Sequence, residues 1–84
     1  MEGTTVSVMA LFRRGELIPK AIRYASRTIL LERVTLKYRT KDAGLERWFF
    51  NVQSVETLHT LVYEPATWRW RLVASWDAPD EAVS

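Results

Sequence analysis

The sequence predicts an all-β fold, a five- to six-stranded antiparallel meander or small partial barrel, and three features carry that prediction. Apolar side chains alternate with polar ones most clearly over residues 68–76, which is typical of a half-buried strand. Turn-forming residues such as Gly15, Gly44 and Pro65 separate short apolar runs. Residues 54–63 could form either a strand or one short helix, so an α+β fold with that helix is the alternative.

The N-terminal third reads as one strand followed by a hairpin. Residues 6–12 alternate as a strand does, and Gly15 then marks a turn. Pro19 could open a helix at its first position, but the helical face behind it would collect few apolar side chains. The β-forming residues on both sides of Ala25 therefore favour a hairpin over residues 17–34.

A second hairpin is predicted from residues 30–39 and 45–52, joined by a polar loop that ends at Gly44. In its first strand the apolar parity is expected to face the core. That parity holds Val34, Leu36 and Tyr38.

The C-terminal third is predicted to be a third hairpin, in which residues 57–63 pair with residues 68–76 across a turn at Pro65. The alternative is a helix capped by Ser54 over the first of these stretches. The second stretch should bury one face as the main core. That face carries Trp68, Trp70, Leu72, Ala74 and Trp76.

Length and composition predict one domain over residues 1–84, with an ordered core at about 6–77 and flexible ends at 1–5 and 78–84. The absence of Cys excludes a disulfide scaffold, a thiolate metal site and a thiol nucleophile. Uncharged runs are too short for a membrane span, and no secretory signal is visible, so we expect a cytoplasmic protein.

The positive charge is concentrated in the body of the chain. Residues 13–71 carry all twelve basic side chains against six acidic ones, a net charge of +6, whereas the whole chain is at +2. Nine of the basic residues are Arg, whose planar guanidinium suits phosphates, carboxylates and aromatic rings. An anionic partner is therefore one expectation, and a solvated surface is the other.

Catalytic, cofactor and metal sites are not predicted. The three scattered Gly cannot form a phosphate loop, and metal binding needs several converging ligands whereas His59 is the only His. Thr57 could share a strand face with His59, but no orienting acid is evident. Glu32, Arg33, Glu46 and Arg47 are expected to form cross-strand ion pairs on a solvated face. We therefore expect that the protein is not an enzyme.

Arginine interleaved with aromatic residues points to single-stranded nucleic acid, because such binders combine a basic sheet face with stacking platforms. By parity Arg47 shares a face with Phe49, and Arg69 shares a face with Arg71. If both strands lie in one sheet, these four residues form the binding face, with Trp48, Trp70 and Trp76 as core on the opposite face.

The alternative function is a protein-interaction module or homodimer that associates through a sheet edge or an apolar face. Ile29, Leu31 and Val73, on the parity opposite the main core, are the candidates. An apolar edge strand without Lys would favour this alternative.

Two segments resemble a family of short uncharacterised bacterial proteins, over roughly residues 17–77. Residues 19–34 are similar to its hairpin pattern of Pro, an aromatic, Trp-Arg-Gly-Arg, Tyr and Val-x-Arg-Val. Residues 62–72 resemble its closing pattern Tyr-x-Asp-Pro-Ala-Thr-Gly-x-Trp-Arg-Leu, and the Trp-Asp at residues 76–77 matches the Val-Trp-Asp that follows.

The chain departs from that family at both turns. Tyr24 stands for Trp, Ala25 and Ser26 stand for Arg-Gly, and Trp68 stands for Gly. The family's pattern is more faintly similar to the C-terminal domain of a Y-family-polymerase-like mutagenesis accessory protein. That similarity implies a role near DNA-damage tolerance and carries over no catalytic residue.

Overall fold

The computed structural model describes residues 3–77, and within them the protein is all β, as predicted. The strands are β1 (Thr4–Arg13), β2 (Glu16–Tyr24), β3 (Arg27–Leu30), β4 (Arg33–Asp42), β5 (Leu45–Gln53), β6 (Thr57–Glu64) and β7 (Arg69–Asp77). The described chain thus has seven strands and no helix, rather than five to six strands. Its first strand starts at Thr4, within the expected flexible end, and the tail at 78–84 lies outside the described residues.

Two-residue turns explain why the ambiguous N-terminal stretch is a hairpin. The turn residues Ala25 and Ser26 between β2 and β3 have φ angles of 52° and 67°. Positive φ at both central residues is what a type I′ hairpin turn requires, and the turns Arg14–Gly15 and Ala43–Gly44 share it. The hairpin interpretation of residues 17–34 is therefore confirmed, and β3 accounts for the additional strand.

All seven strands form one antiparallel sheet in the order β3-β2-β1-β7-β6-β5-β4. The sheet curls into a half-barrel, so that β2 and β4 approach each other although neither pairs with the other. Among the described residues an unpaired gap remains between β2 and β4, and the segment that links β3 to β4 crosses one end of it. There the Leu31 N–H donates to the Lys20 carbonyl at 2.9 Å, and the Glu32 N–H donates to the Gln53 carbonyl at 2.7 Å.

The core lies inside the curl. Ile22, Val52 and Leu61 are fully buried there, and Phe50 and Trp70 pack beside them with ring centroids 5.5 Å apart. Fully burying one such aliphatic side chain contributes roughly 1.5–3 kcal/mol. Because the chain is short, this single cluster must supply most of the apolar stabilisation.

A β-bulge at Val73 changes which side chains of β7 face the core. Thr60 pairs with Ala74, but Leu61 pairs with Leu72, so Val73 is the extra residue. Trp70 and Leu72 remain on the core side, as predicted, whereas Trp76 turns outward and is 43% exposed. The predicted core face was therefore wrong for Ala74 and Trp76, because one inserted residue reverses the parity beyond it.

A second bulge, at Thr35, reverses which side chains of β4 face the core beyond it. Val34 pairs with Val52 and faces the core, but Leu36 pairs with Asn51 and Tyr38 with Phe49 on the outer face. The prediction that Leu36 and Tyr38 face the core was therefore wrong.

Candidate nucleic-acid interface

The four predicted contact residues lie together on the outer face of the sheet, in two adjacent cross-strand rows. In the first row Phe49 of β5 lies opposite Val62 of β6, which lies opposite Arg71 of β7. In the second row Arg47 lies beside Glu64, which pairs with Arg69. Directly opposite residues project from the same side of an antiparallel sheet, so the rows form one surface.

We call this surface the basic–aromatic face and define it by Tyr38, Arg47, Phe49, Arg69 and Arg71. The sheet separates it from the core, because neighbours of these residues along each strand point inward. Val62 lies within the face and is completely buried.

Glu64 lies between two of the arginines and compensates part of their charge. Its carboxylate oxygens lie 3.3 Å from Nε of Arg71 and 3.8 Å from Nε of Arg47. All three side chains are only about one-fifth to one-quarter exposed, so these ion pairs are less screened than surface pairs. The longer contact leaves Nε of Arg47 buried without a hydrogen bond. Arg69 remains exposed.

The predicted ion pairs among Glu32, Arg33, Glu46 and Arg47 were wrong in their partners. Arg47 pairs with Glu64 on β6, and Nε of Arg33 donates to the side-chain amide oxygen of Gln53 at 3.1 Å. The partner of Arg47 comes from a strand that follows a separate loop, so sequence proximity did not indicate it.

Tyr38 extends the aromatic part of the face. Its ring stacks on Phe49 with centroids 4.9 Å apart and planes 2° from parallel. Sequence reasoning missed Tyr38 because the Thr35 bulge moves it outward, and no local pattern marks that bulge. The Tyr38 ring is about half exposed, so the stacked pair offers an apolar platform beside the arginine side chains of the face.

Trp68 is the other aromatic residue that sequence reasoning misplaced. β7 begins at Arg69, so Trp68 belongs to the preceding loop, where it is 82% exposed and has a φ of 60°. The Glu64 carbonyl accepts hydrogen bonds from the N–H groups of Thr67 and Trp68. A left-handed conformation costs a bulky residue roughly 1–2 kcal/mol, and such strain collects at functional positions. The turn at Pro65, together with Gly at this position in the resembling family, was the available signal.

His59 lies on the opposite, inner side of β6 and is not part of the face. Its Nδ1 lies 2.8 Å from the Ser75 hydroxyl, and its Nε2 lies 3.4 Å from the Ser54 hydroxyl, which donates to the Thr57 carbonyl. A neutral ring that accepts at Nδ1 and donates at Nε2 satisfies this chain. Burial lowers the pKa of His59, which favours that neutral form. The two hydroxyl contacts from Ser54 and Ser75 fix the orientation of the ring between β6 and β7.

Within the described part of the chain, no three His, Asp or Glu side chains cluster closely enough to hold a metal ion. Residues 3–77 also contain no helix that is long and apolar enough to cross a membrane.

The chain matches no protein-family model, no curated protein and no solved structure. The fold and the face therefore define it only as a small antiparallel β protein with an open half-barrel. Its resemblance to the bacterial family stays a prediction.

Proposed function

We propose that this protein is a small non-catalytic module that binds single-stranded nucleic acid through the basic–aromatic face. The observation that carries the proposal is the placement of Arg47, Phe49, Arg69 and Arg71 in two adjacent cross-strand rows. Guanidinium groups attract the phosphates, while the ring platform stacks with unpaired bases at roughly 1–3 kcal/mol per base. A role near DNA-damage tolerance, implied by the faint resemblance, would agree with this ligand.

The charge balance of the face supports modest, salt-dependent binding. Three arginines and Glu64 leave a net charge of +2 within it, and two of the arginines are held by that carboxylate. If about three phosphates are neutralised, the slope of log affinity against log salt is about −2 for a single strand.

A titration tests the proposal. A twelve-nucleotide mixed single strand is added to the protein at 50 and 200 mM salt, while tryptophan fluorescence is followed. We expect saturable binding that weakens about tenfold or more at the higher salt. Arg69→Ala combined with Arg71→Ala should abolish it. Arg23→Ala is the matched control, since Arg23 is exposed on β2, which β1 separates from β7 in the sheet, and its loss should matter little.

Two further variants separate binding from stability. Glu64→Gln should raise the affinity several-fold, because it releases Arg47 and Arg71 from their ion pairs. Trp68→Gly should raise the unfolding free energy by relieving the positive φ and yet weaken binding if Trp68 stacks on a base. The proposal fails if no saturable signal is found, or if Arg23→Ala lowers the affinity as much as the double variant does.

A protein-interaction module is the second candidate function, and a different set of residues favours it. Ile29 and Leu31, two of the three residues first considered, pack against the core and are not free, and the third, Val73, is the bulged residue of β7. Met9 and Leu30, by contrast, are 67% and 71% exposed and flank the buried Ala21 on the outer face. Light scattering during the titration gives the mass, and a dimer whose formation resists salt would support this candidate.

A further inference from the structure

The half-barrel is open along one seam, between residues 16–20 of β2 and residues 34–39 of β4. β4 is the last strand of the sheet, and β3 pairs with β2 only from Ala21 onward. Within residues 3–77, therefore, no strand pairs with either edge along this seam. The ion pair between Glu16 and Lys37 bridges the seam toward one end, and the β3–β4 link closes the other.

The chemistry of the two edges identifies what fits between them. In an antiparallel ladder alternate residues of an edge strand direct their N–H and C=O groups away from the paired neighbour. Two such edges face each other here, and an extended strand is the protein element that can pair with both rows at once. A strand in this position would close the sheet and remove its edges, which the free protein does not achieve.

Apolar lining already exists along the seam, but some Cα atoms of β2 and β4 lie within 8 Å of each other, so an inserted strand must first spread the two edges to about 10 Å. One cleft of about 450 Å³ is lined by Ile18, Val34 and Leu36, among others. It continues past Leu17 into a second cleft of about 200 Å³ that reaches the Trp48 ring. Side chains on one parity of an inserted strand would therefore enter an apolar interior.

The charges at the seam are mostly positive. Lys37 and Arg39 point to this side of β4, and the Arg39 guanidinium lies 4.2 Å from the centre of the Trp48 ring. Glu16 is the acidic residue that lines both clefts, and it already forms an ion pair with Lys37. Lysine and a bulge on an edge strand discourage pairing with an arbitrary strand. The positive charge of Lys37 and Arg39 favours an acidic segment over a neutral or basic one.

We propose that the seam is a strand-acceptor site, in which an extended acidic segment of a partner protein, with every second residue apolar, inserts between β2 and β4. Its backbone pairs with both edges, its apolar side chains fill the two clefts, and an acidic side chain replaces Glu16 beside Lys37 or meets Arg39. The bridging ion pair is exposed on both sides, so breaking it to admit the strand costs little.

Three synthetic peptides test this proposal on the full chain. The first is an eight-residue peptide that alternates valine with glutamate and threonine. The second has the same side chains but N-methylated backbone amides, which cannot donate hydrogen bonds. The third carries lysine in place of glutamate. Binding is followed by tryptophan fluorescence, to which Trp48 contributes from the lining of the second cleft. Hydrogen exchange at the amides of residues 34–39 reports strand pairing.

We expect the first peptide to bind and to slow exchange at the seam-facing amides of β4 at least tenfold, whereas the other two should not. Arg39→Glu should weaken the first peptide and strengthen the lysine peptide, while Arg23→Ala should leave both unchanged.

Three outcomes overturn the proposal. Equal binding of the N-methylated peptide would mean apolar adsorption without strand pairing. Protection that lies elsewhere than β2 and β4 would mean a different site. Protection of β4 that grows with protein concentration alone, with a mass of twice the monomer, would mean that the edge pairs with a second copy.

Discussion

A single buried side chain, His59, couples the stability of this protein to pH. Because burial lowers its pKa below the ordinary value near 6.5, the unfolded chain takes up a proton at a higher pH than the folded one. The free energy of unfolding should therefore be constant above about pH 7.5 and fall below about pH 6.5. The slope can reach about 1.4 kcal/mol per pH unit.

Urea unfolding at a series of pH values measures this slope, and His59→Gln should remove it. Glu16 acts in a different pH range, since the hydrogen bond and charge of Lys37 lower its pKa below the ordinary value of 4.5 and its contribution is lost only in more acidic solution. As His59 is the only histidine, an NMR titration of its ring protons also gives the folded pKa directly. A pKa at or above 6.5 would contradict the account.

At the residue scale, sequence reasoning found the arginines and Phe49 but not Glu64, Tyr38 or Trp68. Residue type identified the first group, because arginine beside an aromatic residue is visible in the chain itself. The contact of Glu64 with Arg47 depends on the pairing of β5 with β6, which is a tertiary fact.

Among the elements, the β2–β3 hairpin carries avoidable strain. Both of its turn residues have positive φ although neither is Gly, whereas each of the other two-residue turns contains a Gly. Asn followed by Gly is the sequence that this turn type prefers. We expect Ala25→Asn combined with Ser26→Gly to raise the free energy of unfolding by about 1–2 kcal/mol.

Urea unfolding checks the hairpin prediction, and Ala43→Asn is the matched control. Gly44 already follows Ala43, so that single change should gain clearly less. An equal gain in both hairpins, or a loss in the first, would show that positive φ at Ala25 and Ser26 is not the source of strain.

At the scale of the whole molecule, stability depends on one small core inside the curl. A domain of 84 residues is expected to have a total unfolding free energy of about 4–13 kcal/mol. Leu61 is fully buried opposite Phe50 and Leu72, so Leu61→Ala should remove about 2–5 kcal/mol.

Thermal and urea unfolding of Leu61→Ala measure this loss, and Val55→Ala serves as the control because Val55 is 76% exposed. The control should change the unfolding free energy by less than about 0.5 kcal/mol. If both variants lose similar amounts, the stability of the half-barrel does not reside in the core cluster.

The sequence by itself determined that the chain is built from short antiparallel strands with turns at Gly15, Gly44 and Pro65. Alternation and turn chemistry are local properties, so each can be read from a few neighbouring residues. Only the tertiary structure decided which face of β4 and β7 points inward, because a bulge depends on the register of the partner strand. It also decided the open seam, since closure depends on how far the whole sheet curls and on which edges meet.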